Sequence, residues 1–135
     1  MTMPILGGDG WVGDALKNGR EALKNTFISN HYSGENPDPI VQNFRKAYRA
    51  KFNREPDSIA ALGYDAAKVL ADSISRAGTT EGPKVRDAIA AANVKGVTGQ
   101  LKMTAERNVT KPAVIEEIQF VNGDVKYAYK TTINP

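Results

Sequence analysis

Pro4-Ile5-Leu6-Gly7-Gly8-Asp9-Gly10-Trp11 sets the architecture of this chain. An apolar run breaks into glycines around one carboxylate, the pattern of a buried strand ending in a loop. Glycine tolerates sharp backbone turns and the close approach of a ligand. Asp9 is thereby presented at the carboxyl end of a strand, where open α/β sheets keep their binding crevices. A strand this close to the first residue predicts a chain that opens in mid-sheet, with earlier elements lost.

Beyond that loop, residues 14 to about 24 read as a helix with Ala15, Leu16, Ala22 and Leu23 as apolar positions. Thr26-Phe27-Ile28-Ser29 has strand composition, and His31 to Pro37 is a polar loop. Asp38-Pro39 pairs a helix N-cap with proline at the first helical position. Ile40, Phe44, Tyr48 and Phe52 then recur every four residues beside Val41, a stripe that faces a core. This helix ends near Asn53. Pro56-Asp57-Ser58 opens a second helix that Gly78 stops after Ala77. Its expected stripe is Leu62, Ala66, Leu70 and Ile74 with Val69 alongside, while Ala60, Ala61, Gly63 and Ala67 permit close approach by a neighbour. A third helix follows Gly82-Pro83, with Val85 and Ile89 inward.

The last third changes period from about 3.6 to about 2. Asn122-Gly123 is the favoured pair for a two-residue hairpin turn. It predicts Phe120 opposite Val125 and Ile118 opposite Tyr127 on one face, with Gln119 opposite Lys126 and Glu117 opposite Ala128 on the other. The predicted order is strand, helix, strand, three helices, extended segment, hairpin.

The 135 residues suit one domain or a piece of a larger one, and 41% apolar with 24% charged residues is an ordinary globular balance. No window approaches a membrane span, and Met1-Thr2-Met3 has no signal-peptide pattern. Zero cysteines exclude disulfides, thiol nucleophiles and cysteine metal sites. The net charge of +3 comes from 18 basic residues interleaved with 15 acids, a solvated surface rather than a nucleic-acid stripe.

Several blocks together resemble the carboxy-terminal part of bacterial periplasmic binding proteins for branched-chain amino acids, the substrate-binding components of ABC importers of the leucine/isoleucine/valine type. Pro4–Trp11 is similar to that family's strand and ligand loop, and Phe27-Ile28-Ser29-Asn30-His31-Tyr32-Ser33 to a segment crossing between lobes. Phe44-Arg45-Lys46-Ala47-Tyr48 with Pro56-Asp57, then Ala60-Ala61-Leu62-Gly63-Tyr64-Asp65-Ala66, resemble its next two helices. Gly96-Val97-Thr98-Gly99, Arg107-Asn108 and Lys111-Pro112-Ala113-Val114-Ile115 resemble its closing segment and hairpin. Thr104 departs from the aspartate usual there.

The resemblance implies an α/β chain with a partial type I periplasmic-binding fold, Rossmann-like three-layer lobes left incomplete and a carboxy-terminal β-hairpin. Residues 1–30 would belong to the second lobe with the ligand loop, 31–100 to the helical portion of the first, and 101–135 to the closing segment and second-lobe hairpin. More than half of the fold is expected to lie outside this sequence.

By itself Asp9 reads as a loop aspartate bonded to its own backbone. The resemblance makes it the acidic group that pairs with a ligand's α-ammonium, flanked by Gly8 and Gly10. Trp11 reads equally as a cleft wall or a packed side chain, and Tyr64 as a cleft residue or a core tyrosine. His31, near Ser33 and Glu35, lacks any triad signature and reads as an exposed histidine at a crossing. No catalytic residue, metal site or cofactor is predicted.

The implied function is a non-enzymatic solute-binding component, periplasmic or membrane-tethered outside the cell in its full-length form, that delivers a small amino acid to a membrane permease. A sensing or regulatory module of the same fold is the alternative. The isolated chain is expected to bind ligand weakly or not at all and to form a homodimer or domain-swapped oligomer over its exposed edges.

Overall fold

The structure, a computed structural model, describes residues 3–12 and 14–135, and between 14 and 23 the side chains of Leu16, Asn18, Ala22 and Leu23. The opening run forms a short strand, β1 (Ile5–Gly7), parallel to β2 (Thr26–Asn30). Parallel neighbours need a crossover connection, and the segment Asp14–Leu23 supplies it as a 3₁₀ helix. Of its expected apolar positions Leu23 is buried, Leu16 half-buried and Ala22 exposed, while the side chain of Ala15 lies outside the described residues.

Two long strands close this sheet, β6 (Ala113–Val121) and β7 (Asp124–Ile133), in the order β1-β2-β6-β7. The hairpin has the predicted register, with Phe120 opposite Val125, Ile118 opposite Tyr127, Gln119 opposite Lys126 and Glu117 opposite Ala128. Asn122 and Gly123 both take positive φ, 52° and 89°, as the two-residue turn requires. A bulge at Ile115/Glu116 shifts the pairing beyond it. Leu23, Ile28 and Ile118 form the core of this part, with Leu16, Val125 and Tyr127 packed against them.

Between β2 and β6 the chain builds α1 (Pro39–Phe52), α2 (Ser58–Ala77) and α3 (Gly82–Ala90). Asp38 Oδ1 accepts the Ile40 N–H at 2.8 Å and Asp57 Oδ1 the Ala60 N–H at 2.7 Å, so both helices begin on capping carboxylates. Asn53 and Gly78 end them in the left-handed conformation. Tyr32, Val41, Phe44, Ala61 and Val97 form a second core, lined by Ile40 and Tyr48. Phe52, the last member of the α1 stripe, is exposed instead.

The α2 stripe requires correction by one residue. Ala61, Asp65 and Ser73 are buried, whereas Leu62 and Ile74 are half-buried and Ala66 and Leu70 exposed. Small and polar side chains face inward because α3 and the 96–98 loop come close: Arg76 reaches the Ala88 carbonyl at 2.8 Å, and Asp65 holds the loop. The extended segment forms its own three-stranded sheet from β3 (Asn93–Gly96), β4 (Gly99–Met103) and β5 (Val109–Thr110).

Candidate functional site

Because β1 and β2 run parallel, with Gly7 opposite Ile28, both strands deliver their following residues to the same end of the sheet. The Gly8–Val12 loop therefore lies beside Asn30 and His31. The Trp11 N–H donates to the Gly8 carbonyl at 3.1 Å and closes a turn around Asp9 and Gly10. Asp9 Oδ2 sits 3.0 Å from His31 Nε2, with side-chain exposures of 62% and 40%. The carboxylate is at the surface and already has a partner.

That partner is anchored from below. Asn30 Oδ1 accepts the His31 backbone N–H at 2.7 Å, and Asn30 Nδ2 donates to Glu116 Oε2 at 2.8 Å. Polar contacts thus link the β1 loop, β2 and β6 in series. Glu116 is buried. Burial raises its carboxyl above the ordinary range, hydrogen bonds from Asn30 and Ser33 oppose the shift, and nearby Glu35 adds to it.

From here the chain passes into the helical part. Tyr32 and Ser33 line two hollows, one on each side of this crossing. The larger, about 640 Å³, lies between the sheet end, with Val12, Glu116 and Tyr127, and the start of α2 at Pro56–Ser58. The smaller, about 290 Å³, holds His31, Lys95, the 96–100 turn and Thr132. The Tyr32 hydroxyl has no hydrogen-bond partner among the described residues. Burial, the largest influence on it, pushes its ionisation up to about 12.

Ion pairs fix the crossing on both sides. Arg45 grips Glu55 through Nε at 2.8 Å and a second nitrogen at 3.2 Å, and donates to the Gly34 carbonyl at 3.3 Å. The hydrogen bond from Arg45 holds the Glu55 carboxyl below its usual range. Glu35 binds Lys126 at 3.1 Å and accepts the Tyr129 N–H at 3.3 Å, tying the crossing to β7. The smaller hollow is pinned from α2: buried Asp65 accepts the Val97 N–H at 2.7 Å and both the N–H and the hydroxyl of Thr98 at 2.8 Å. A Cβ on Gly96 would lie 2.5 Å from Asp65 Oδ2, so only glycine fits beside this carboxylate.

The five residues singled out in the sequence do not all meet. Gly8, Asp9, Gly10 and Trp11 share the β1 loop, and Val12 carries that loop to the rim of the larger hollow. The Trp11 ring packs over Gly7, where a Cβ would lie 2.7 Å from Cδ2. Tyr64 stands apart on α2, its ring 5.0 Å from that of Phe44. It lines a different hollow with Tyr48, Phe52 and Ala60.

Two residues escaped the sequence reading. The partnership of His31 with Asp9 depends on the parallel register of β1 and β2, which no local pattern encodes. Glu116 carried a signal: counting by two from Ile118 places it on the buried face. Among the described residues no group of three or more histidine, cysteine or acidic side chains could hold a metal ion, and no helix is long and apolar enough to cross a membrane.

A parallel strand pair with a glycine-rich acidic loop at its carboxyl end, joined through a crossing to a helical layer, defines an α/β binding fold of the two-lobe kind. The family model described as periplasmic binding protein matches residues 1–119. The chain belongs to this family. It is similar to the leucine binding protein LivK of Thermotoga maritima at 31% identity, with a TM-score of 0.79, covering 100% of this chain and 38% of that one. It is similar also to the branched-chain amino acid transporter substrate binding protein LivJ of Streptococcus pneumoniae, solved in complex with isoleucine: 30% identity, TM-score 0.72, 94% of this chain and 37% of that one. A solute binding protein of an ABC transporter from Rhodopseudomonas palustris, in complex with 3,4-dihydroxy benzoic acid, shares the fold at 19% identity and TM-score 0.79, over 97% of this chain and 37% of that one. The chain thus spans less than two fifths of each of these proteins, and the fold alone does not fix the ligand.

Proposed function

We propose that this chain supplies the ammonium-binding side of an amino-acid cleft in a solute-binding component of an ABC importer. One observation carries the reading: Asp9 stands at the joint carboxyl ends of β1 and β2, on a loop that reaches the rim of the larger hollow. A carboxylate there forms strong charge-assisted hydrogen bonds with a primary ammonium. Gly8 and Gly10 leave room for the ligand backbone, and Trp11 walls the loop. Tyr64 contributes from the helical side only if the lobes close over the ligand.

In this reading β1, β2 and the β6–β7 hairpin belong to one lobe, and residues 31–100 belong mostly to the other. Lobe closure around the ligand presents the docked form to a membrane permease on the outer face of the inner membrane. The groups that hold the ligand carboxylate come from outside this sequence. Each charge-assisted bond forgone costs about 1.5–3 kcal/mol, or about 10- to 150-fold in affinity. The chain alone should therefore bind in the millimolar range. Titration calorimetry with leucine, isoleucine, valine and alanine tests this, and micromolar binding by a monomer would contradict it.

A further inference from the structure

We propose that His31 is the resident partner of Asp9: it occupies the carboxylate until an incoming ammonium displaces it. This rests on Asp9 being the ammonium acceptor. His31 Nε2 lies 3.0 Å from Asp9 Oδ2, so it occupies an acceptor oxygen that an incoming ammonium would need. The backbone of His31 is fixed by the 2.7 Å bond from its N–H to Asn30, and Asn30 is held by the buried Glu116. The root of the side chain is thus firm while its ring stays 40% exposed. An ion pair this open to water contributes little, so exchanging imidazole for ammonium costs little.

The exchange makes ligand capture depend on pH. Imidazolium competes with ammonium for one carboxylate more strongly than neutral imidazole does, and also repels the incoming charge. Acid therefore favours the resident pair, and ligand binding strengthens as pH rises. Asp9 from the β1 loop is in contact with the ring. Asp38 at the start of α1 and Lys95 from β3 line the hollow that includes His31, and Glu35 and Glu116 line the neighbouring one. Asp38 is engaged with the Ile40 N–H and Glu35 with Lys126, so Asp9 is the acid in contact with the ring.

The test is an NMR titration of the isotopically labelled chain with L-leucine at about pH 5.5 and about pH 8, following the His31 Nε2 resonance and the amides of Gly8–Val12. Without ligand, Asp9→Asn should move the Nε2 resonance. Leucine should move it too, together with the loop amides. Leucine affinity should rise about two- to fivefold from the lower pH to the higher. His31→Ala should hold the high-pH affinity at both values. His31→Gln, which keeps a donor without the charge, should be equally flat. Coincident Nε2 resonances in the parent chain and Asp9→Asn would overturn the pairing. Weaker leucine binding in His31→Ala at about pH 5.5 would overturn the competition, as would loop shifts that leave His31 unmoved, with the role of Asp9 intact in both cases. Leucine that shifts other amides of the chain but neither the loop nor His31 would overturn the role of Asp9 and this inference with it.

Discussion

Asp65 and Glu116 are buried carboxylates with opposite consequences. Asp65 takes three hydrogen bonds from the 97–98 backbone and the Thr98 hydroxyl. Asp65→Asn puts an amide N–H against backbone N–H groups and should cost about 2–3 kcal/mol, read as a lower midpoint in urea unfolding. Glu116 is held above the ordinary carboxylate range mainly by burial. A folded-state value above the unfolded one means the native protein retains a proton that the unfolded chain has lost. The stability this gives is full below the unfolded value and lost as pH rises through the folded one. Glu116→Gln should thus flatten the loss of melting temperature as pH rises above the ordinary carboxylate range, and a curve as steep as the parent's would contradict it. Asp9 was legible because glycines flag a loop in any context. The burial of Glu116 was legible only by extending the strand alternation past Ile118, and the pairing of His31 with Asp9 needs two strands placed side by side.

At the scale of elements, helix caps and the hairpin turn are encoded by adjacent residues. Asp38 and Asp57 cap their helices as the sequence implied, and Asn122-Gly123 fixes the register of ten-residue β7 against β6. A Gly123→Ala substitution would force an L-residue to φ 89° and should cost about 1–2 kcal/mol, measured as a lower melting temperature. A larger loss would mean that the hairpin register itself had slipped. The buried face of α2 was misread because hydrophobicity was taken as the guide to burial. That helix packs against α3 and the 96–98 loop, where close approach favours Ala61 and Ser73 and a specific hydrogen-bond acceptor favours Asp65. Of the larger side chains of α2, Ile59, Tyr64 and Leu70 are exposed and Leu62, Val69 and Ile74 half-buried. β3 to β5 are short, and their pairing depends on chain reversals that no alternation announces.

For the whole molecule, the ordered set of motifs was enough to name the family, since each block keeps its place from Pro4 to Ile115. The ligand was not legible: the chain spans less than two fifths of relatives whose ligands differ. Among the described residues Ile59 is 73% exposed, Leu6 77% and Leu70 46%, and β1 and β7 form the two edges of their sheet. Such surfaces drive association. Sedimentation should show dimers or larger species growing with concentration, and a monomer throughout would count against exposed faces of this kind. The central claim is that Asp9 receives the ligand's ammonium. Its most direct measurement compares L-leucine with 4-methylpentanoate, the same skeleton without the amine, by following the Gly8–Val12 amides in the parent chain and in Asp9→Asn. Shifts with leucine alone, and only in the parent chain, are the expected result. Equal shifts with both compounds, or leucine shifts that survive Asp9→Asn, would contradict it.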